Sequence, residues 1–77
     1  MSPYISVSNV SLEYKISDIA EGDTVNYYGF MNKNGEYYFM KEDTSTNAYR
    51  YWKGQTNYAT DWADRTNKSY DYYTSIF

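Results

Sequence analysis

Apolar and aromatic positions in this chain alternate with polar ones over short runs separated by turn-forming residues, the period-two pattern of β-strands. The densest run is Tyr27-Tyr28-Gly29-Phe30-Met31-Asn32-Lys33-Asn34-Gly35-Glu36-Tyr37-Tyr38-Phe39-Met40, two aromatic segments around a polar stretch ending in Asn34-Gly35. Asn-Gly favours the φ > 0 pair of a type I′ turn, so the pattern predicts a hairpin of strands 27–31 and 36–40 with Asn34 and Gly35 at its centre. In that register Lys33 faces Glu36, Asn32 faces Tyr37, Met31 faces Tyr38, Phe30 faces Phe39, Gly29 faces Met40 and Tyr28 faces Lys41. Alternation then places Tyr28, Phe30, Tyr37 and Phe39 on one face, and Tyr27, Gly29, Met31, Tyr38 and Met40 on the other. Neither set is polar, so both faces are expected to be covered, by the rest of the chain or by another molecule.

The remaining elements come from the same pattern. Val10, Leu12, Tyr14 and Ile16 alternate with Ser11, Glu13 and Lys15, which predicts a strand over 10–16. Ile5 and Val7 are out of phase with that set, so 4–8 is either the same strand beyond a bulge near Asn9 or a separate arm. Such an arm could pair with a neighbouring subunit or fray as a free terminus. Ser17 to Thr24 reads as a loop or a single helical turn, and Lys41 to Asn47 as an exposed connection. Tyr49 to Trp52 is a third strand, antiparallel to 36–41 in a meander. Gly54 to Thr60 is a loop, and Thr60 or Asp61 can cap a short helical turn through about Arg65, with Trp62 and Ala63 available to pack. Tyr70 to Phe77 has a β-like pattern, and its Ile76-Phe77 end suggests docking. The fold expected is mainly β: one domain over 1–77, a small antiparallel sheet built on the 27–31/36–40 hairpin, a helical turn near 60–65, and 1–8 as a candidate extended arm.

Composition narrows the function more than it names it. With 77 residues the chain is near the lower size at which a hydrophobic core suffices, so assembly is a natural supplement. Seventeen residues are aromatic, twelve of them Tyr, against eight Ile, Leu and Val together, which suits a thin β-domain or an interface. A net charge of −3 argues against nucleic acid, which needs a basic patch. The absence of His and Cys excludes disulfides, imidazole and thiol catalysis, and Cys- or His-based metal sites. No apolar run approaches a membrane span and no leader pattern opens the chain, so a soluble protein made in a cytoplasm is expected.

Candidate chemistry is sparse. Asp61 with Asp64, Glu42 with Asp43, and Glu21 with Asp23 are the close carboxylate pairs, but each sits where acids suit a helix start or a turn, and no enzyme is expected. Asp43, Ser45 and Asn47 imitate the first ligands of a calcium loop, yet Ala48 stands where that loop needs Gly, and Gly54 where it needs a bidentate Glu. No cofactor or metal is assigned. Asn9-Val10-Ser11 and Asn67-Lys68-Ser69 match a glycosylation acceptor and read as chance in so Asn- and Ser-rich a chain. The aromatic set is what needs a role. Tyr28, Phe30, Tyr37, Phe39, Tyr51 and Trp52 are the candidates for packing or a protein interface, where Tyr, Trp and Arg concentrate. Trp52, Trp62 and Tyr58 could instead form a platform on which host-surface sugar rings stack.

The residues Tyr27-Tyr28-Gly29-Phe30, Lys33-Asn34-Gly35, Tyr37-Tyr38-Phe39-Met40-Lys41-Glu42, Tyr49-Arg50-Tyr51, Gly54, Tyr58, Thr60, Trp62, Arg65, Tyr70 and Tyr72-Tyr73 resemble small proteins of tailed bacteriophages. In these a "YYGF-x-x-x-x-G" hairpin precedes an aromatic strand and a "Thr-x-Trp-x-x-Arg" segment. The likeness covers about residues 25–77. It implies a structural component of the virion, in the tail, collar, fibre attachment or capsid surface, partnered by itself or a larger virion protein, with no catalytic residues.

Overall fold

The computed structural model describes residues 13–77, so the expectations for 4–8, for the 1–8 arm, for Val10 and Leu12, and for the Asn9 acceptor lie outside the described residues. Four strands run in chain order: β1 (Lys15–Ala20), β2 (Val25–Met31), β3 (Tyr37–Asp43) and β4 (Ala48–Lys53). Each pairs antiparallel with the next, giving the predicted meander in the order β1-β2-β3-β4. After β4 come a short helix α1 (Tyr58–Ala63), a 3-10 turn (Arg65–Asn67) and a last helical turn α2 (Tyr73–Ile76).

The central hairpin forms, but its register is one residue away from that expected. Met31 pairs with Tyr37, Phe30 with Tyr38, Gly29 with Phe39, Tyr28 with Met40 and Tyr27 with Lys41. The connection is a three-residue loop and not a type I′ turn. Gly35 N–H donates to the Asn32 carbonyl at 3.1 Å, Asn32 N–H donates to the Glu36 carbonyl at 3.0 Å, and Gly35 alone takes the left-handed conformation, with φ 83°. That is a type I turn closed by a glycine bulge. Asn32 is its cause: its buried Oδ1 accepts from the N–H groups of Asn34 and Glu36, both at 3.0 Å, and its Nδ2 donates to the Glu36 carboxylate at 2.7 Å. Glu36 is therefore engaged by Asn32 and not opposite Lys33. The slip re-sorts both faces. Tyr37 and Phe39 share the inner face with Tyr27, Gly29 and Met31, while Tyr28, Phe30, Tyr38 and Met40 take the outer one.

β1 begins and ends later than the alternation indicated, and residues 17–20, expected as a loop or helical turn, are strand. A bulge between Ile16 and Asp18 is the reason. Ser17 is the extra residue, so Ile16 opposite Phe30 and Ile19 opposite Tyr28 both point to the outer face although they are three positions apart in the chain. In the sequence that spacing imitates a helix.

The helix is capped by Asn57, whose side chain accepts from Thr60 N–H at 3.0 Å, not by Thr60 or Asp61. α1 lies over the inner face, where Trp62 packs and Ala63 stays exposed. Gly29 makes this approach possible: a Cβ there would overlap the Tyr58 hydroxyl and sit 3.2 Å from the Trp62 ring. The C-terminal segment is not a strand. Asp71 alone exchanges two backbone bonds with Tyr51, at 2.7 and 2.9 Å, and α2 then turns onto the outer face, docking Phe77 against Tyr38.

Candidate interaction surface

The inner face is a closed aromatic cluster. Phe39 is fully buried, and Trp62, Trp52, Tyr58 and Tyr37 surround it at centroid distances of 5.1, 5.3, 5.6 and 5.9 Å. Most of these contacts are tilted or edge-to-face, the geometry in which ring quadrupoles attract. Polar groups finish the cluster on the helix side. The Tyr37 hydroxyl donates to the Asp61 carboxylate and accepts from Asn57 N–H at 2.9 Å, and Lys68 Nζ donates to Asp61 at 3.0 Å. These bonds hold Asp61 below the usual carboxylate range, the Tyr37 hydroxyl first and Lys68 second, and the same contact raises Lys68. Lys68 also sits 4.6 Å from the Trp52 ring, and Arg65 4.8 Å from that of Trp62.

Two of the three close carboxylate pairs are engaged by neighbouring groups. Asp61 and Asp64 share Lys68, at 3.0 and 3.6 Å, so the first carboxylate pair is neutralised by a cation. Glu42 accepts from Asn26, Tyr28 and Tyr49 at 3.2, 2.9 and 3.2 Å, and the first two hold it ionised to lower pH than usual. Asp43 is bonded to the backbone and hydroxyl of Ser45 in the β3–β4 turn, where Asn47 adopts φ 55°. Among the described residues no cluster of three His, Cys, Asp or Glu could hold a metal ion. Among them, too, no helix is long and apolar enough to cross a membrane. A shallow cavity of about 290 Å³ opens beside the hairpin turn, lined by Glu13, Lys15, Ser17, Met31, Asn32 and Lys33.

The outer face differs. A row of rings crosses it: Tyr38 stacks on Phe30 at 4.8 Å and meets Tyr14 and Phe77 at 5.0 Å each, and Tyr51 meets Tyr73 at 5.3 Å. α2 covers only the β4 side of this row, and incompletely: Tyr73 remains 57% and Phe77 47% exposed. On the β1 side, Ile16 and Ile19 are 55% and 53% exposed beside half-buried Phe30 and Tyr28.

The six residues singled out for packing or interface are thus divided. Tyr37, Phe39 and Trp52 belong to the inner cluster, and Tyr28, Phe30 and Tyr51 to the outer row. The glycan set of Trp52, Trp62 and Tyr58 is drawn together, but around Phe39: Tyr58 lies parallel to Trp62 at 6.2 Å and donates to Asp18 at 2.8 Å. Sequence reasoning missed Ile16, Ile19, Tyr38 and Tyr73 for this face, and expected Phe77 only as part of a docked end. Tyr38 could have been found only with the correct register, and the two isoleucines only by recognising the bulge. No family model, curated protein or solved structure matches the chain.

Proposed function

We propose that this protein is a non-enzymatic structural subunit of a bacteriophage particle, assembling through its outer sheet face with copies of itself or a larger virion protein. One observation carries the assembly part. The inner face is sealed by its own helix, whereas the outer face leaves Ile16, Ile19, Tyr73 and Phe77 about half exposed in a chain with few aliphatic residues. Apolar surface that a small domain does not bury itself is the usual mark of a protein interface. The virion part rests on the resemblance of residues 25–77 to small tailed-phage proteins.

Light scattering on the purified chain over a hundredfold concentration range tests the assembly. A discrete oligomer, or a mass that grows with concentration, is expected; a constant 9.1 kDa particle counts against self-assembly. Mass spectrometry of particles purified from cells making the chain tests the location, and its absence from them sinks the virion reading. The glycan alternative has less support, because Trp52, Tyr58 and Trp62 spend their ring faces on one another and on Phe39, Lys68 and Arg65. Unchanged tryptophan fluorescence across a panel of host-surface polysaccharides is the expected result.

A further inference from the structure

Among the described residues no strand lies on the far side of β1, so its outward N–H and C=O groups form an open sheet edge. The isoleucines beside that edge are exposed on the same face. Because Ser17 is bulged, Ile16 and Ile19 stand opposite Phe30 and Tyr28, two positions apart in sheet register. Lys15 and Asp18 lie on the inner side, Asp18 being bonded to Tyr58, so no β1 charge stands on the outer side between the isoleucines. An added strand with apolar residues two apart would bury both.

Residues 4–8, Tyr-Ile-Ser-Val-Ser, carry that spacing in Ile5 and Val7 and no charge. A chain this small gains stability by assembly, so a second copy is the source of that strand. We infer that residues 4–8 of one copy add as a strand to the β1 edge of another, with Ile5 and Val7 covering Ile16 and Ile19. This deepens the assembly reading and rests on it. Backbone pairing supplies the affinity and the two side chains set the register, as in other cases of strand addition. The bulge at Ser17 limits the edge to a short partner and protects it from indiscriminate pairing.

The test uses the full chain. Val7→Pro removes a ladder N–H from the donated strand without touching the described sheet, and should raise the half-assembly concentration at least about tenfold. Ile19→Lys should do the same from the acceptor side, with near-ultraviolet circular dichroism unchanged in both. Since the chain has no Cys, a Val7→Cys/Ile19→Cys variant treated with a short bis-maleimide gives a clean readout. A cross-linked dimer is expected on a denaturing gel. An intramolecular link, or oligomers unaffected by either single substitution, overturns strand exchange while leaving the assembly reading intact. A wild-type chain that stays monomeric overturns both.

Discussion

At the β4 edge, Asp71 exchanges two backbone hydrogen bonds with Tyr51, and the chain then folds Tyr73 and Phe77 over the strand's outer side. At the β1 edge, nothing among the described residues does either. The sheet is the same and the strands are of similar length, so the difference lies in the chain adjoining each strand. Twenty-four residues after β4 supply a helix, a turn and a docking segment, while among the described residues β1 has only β2 beside it. A small sheet needs one well-sealed face to be stable, and a face left half-sealed is free to take on function.

The sharpest way to break this contrast is at its sealed centre. Phe39→Ala removes a fully buried ring with four aromatic neighbours and should cost about 3–5 kcal/mol, enough to unfold so small a domain; urea denaturation measures it. Gly29→Ala comes next. The new methyl must push Tyr58 and Trp62 off the sheet, and a loss of about 1–3 kcal/mol with altered tryptophan fluorescence is expected.

A smaller effect tests the polar seal. Tyr37 and Lys68 lower the pKa of Asp61 in the folded state, so its contribution is complete above the ordinary aspartate value and is lost as pH falls through the folded one. Lys68, raised by Asp61, runs the other way: its contribution is complete below the ordinary lysine value and lost as pH rises through the folded one. In Asp61→Asn the urea midpoint should be lower at neutral pH and should fall less steeply toward acid than in the wild type. An acid limb as steep as the wild type's would assign the pH dependence to Glu42 and Asp43 instead. Smallest of all, Ile19→Ser on the open flank should change monomer stability by no more than about 0.5 kcal/mol. A loss comparable with that of Gly29→Ala would show that the β1 side is sealed after all.

Much of the architecture was legible in the residues. The 27–31/36–40 hairpin, the antiparallel third strand and the helical turn near residue 60 come out of alternation and turn chemistry, because local preference and tertiary packing agree there. The errors share a cause. Asn34-Gly35 carries the strongest two-residue turn signal in the chain, yet Asn32 outcompetes it by bonding two backbone N–H groups at once, and one residue of slip exchanges the faces of β2 relative to β3. Ser17 similarly hides a strand by breaking alternation in the middle of Ile16 to Ile19. At the C-terminus, Tyr70 to Phe77 alternates like a strand, but among the described residues its only pairing is at Asp71 and the rest is held by ring contacts that no period reveals. The interaction surface was accordingly half-read: its aromatic character was plain, and which rings were left outside was not.

The single Asp71 bridge also makes the two sheet edges unequal as templates. A sheet with two open edges can accept a strand on either side, which is how fibres start. With Tyr51's backbone groups already engaged by Asp71, the middle of the β4 edge is closed to an added strand, so among the described residues edge-to-edge joining is directed to β1.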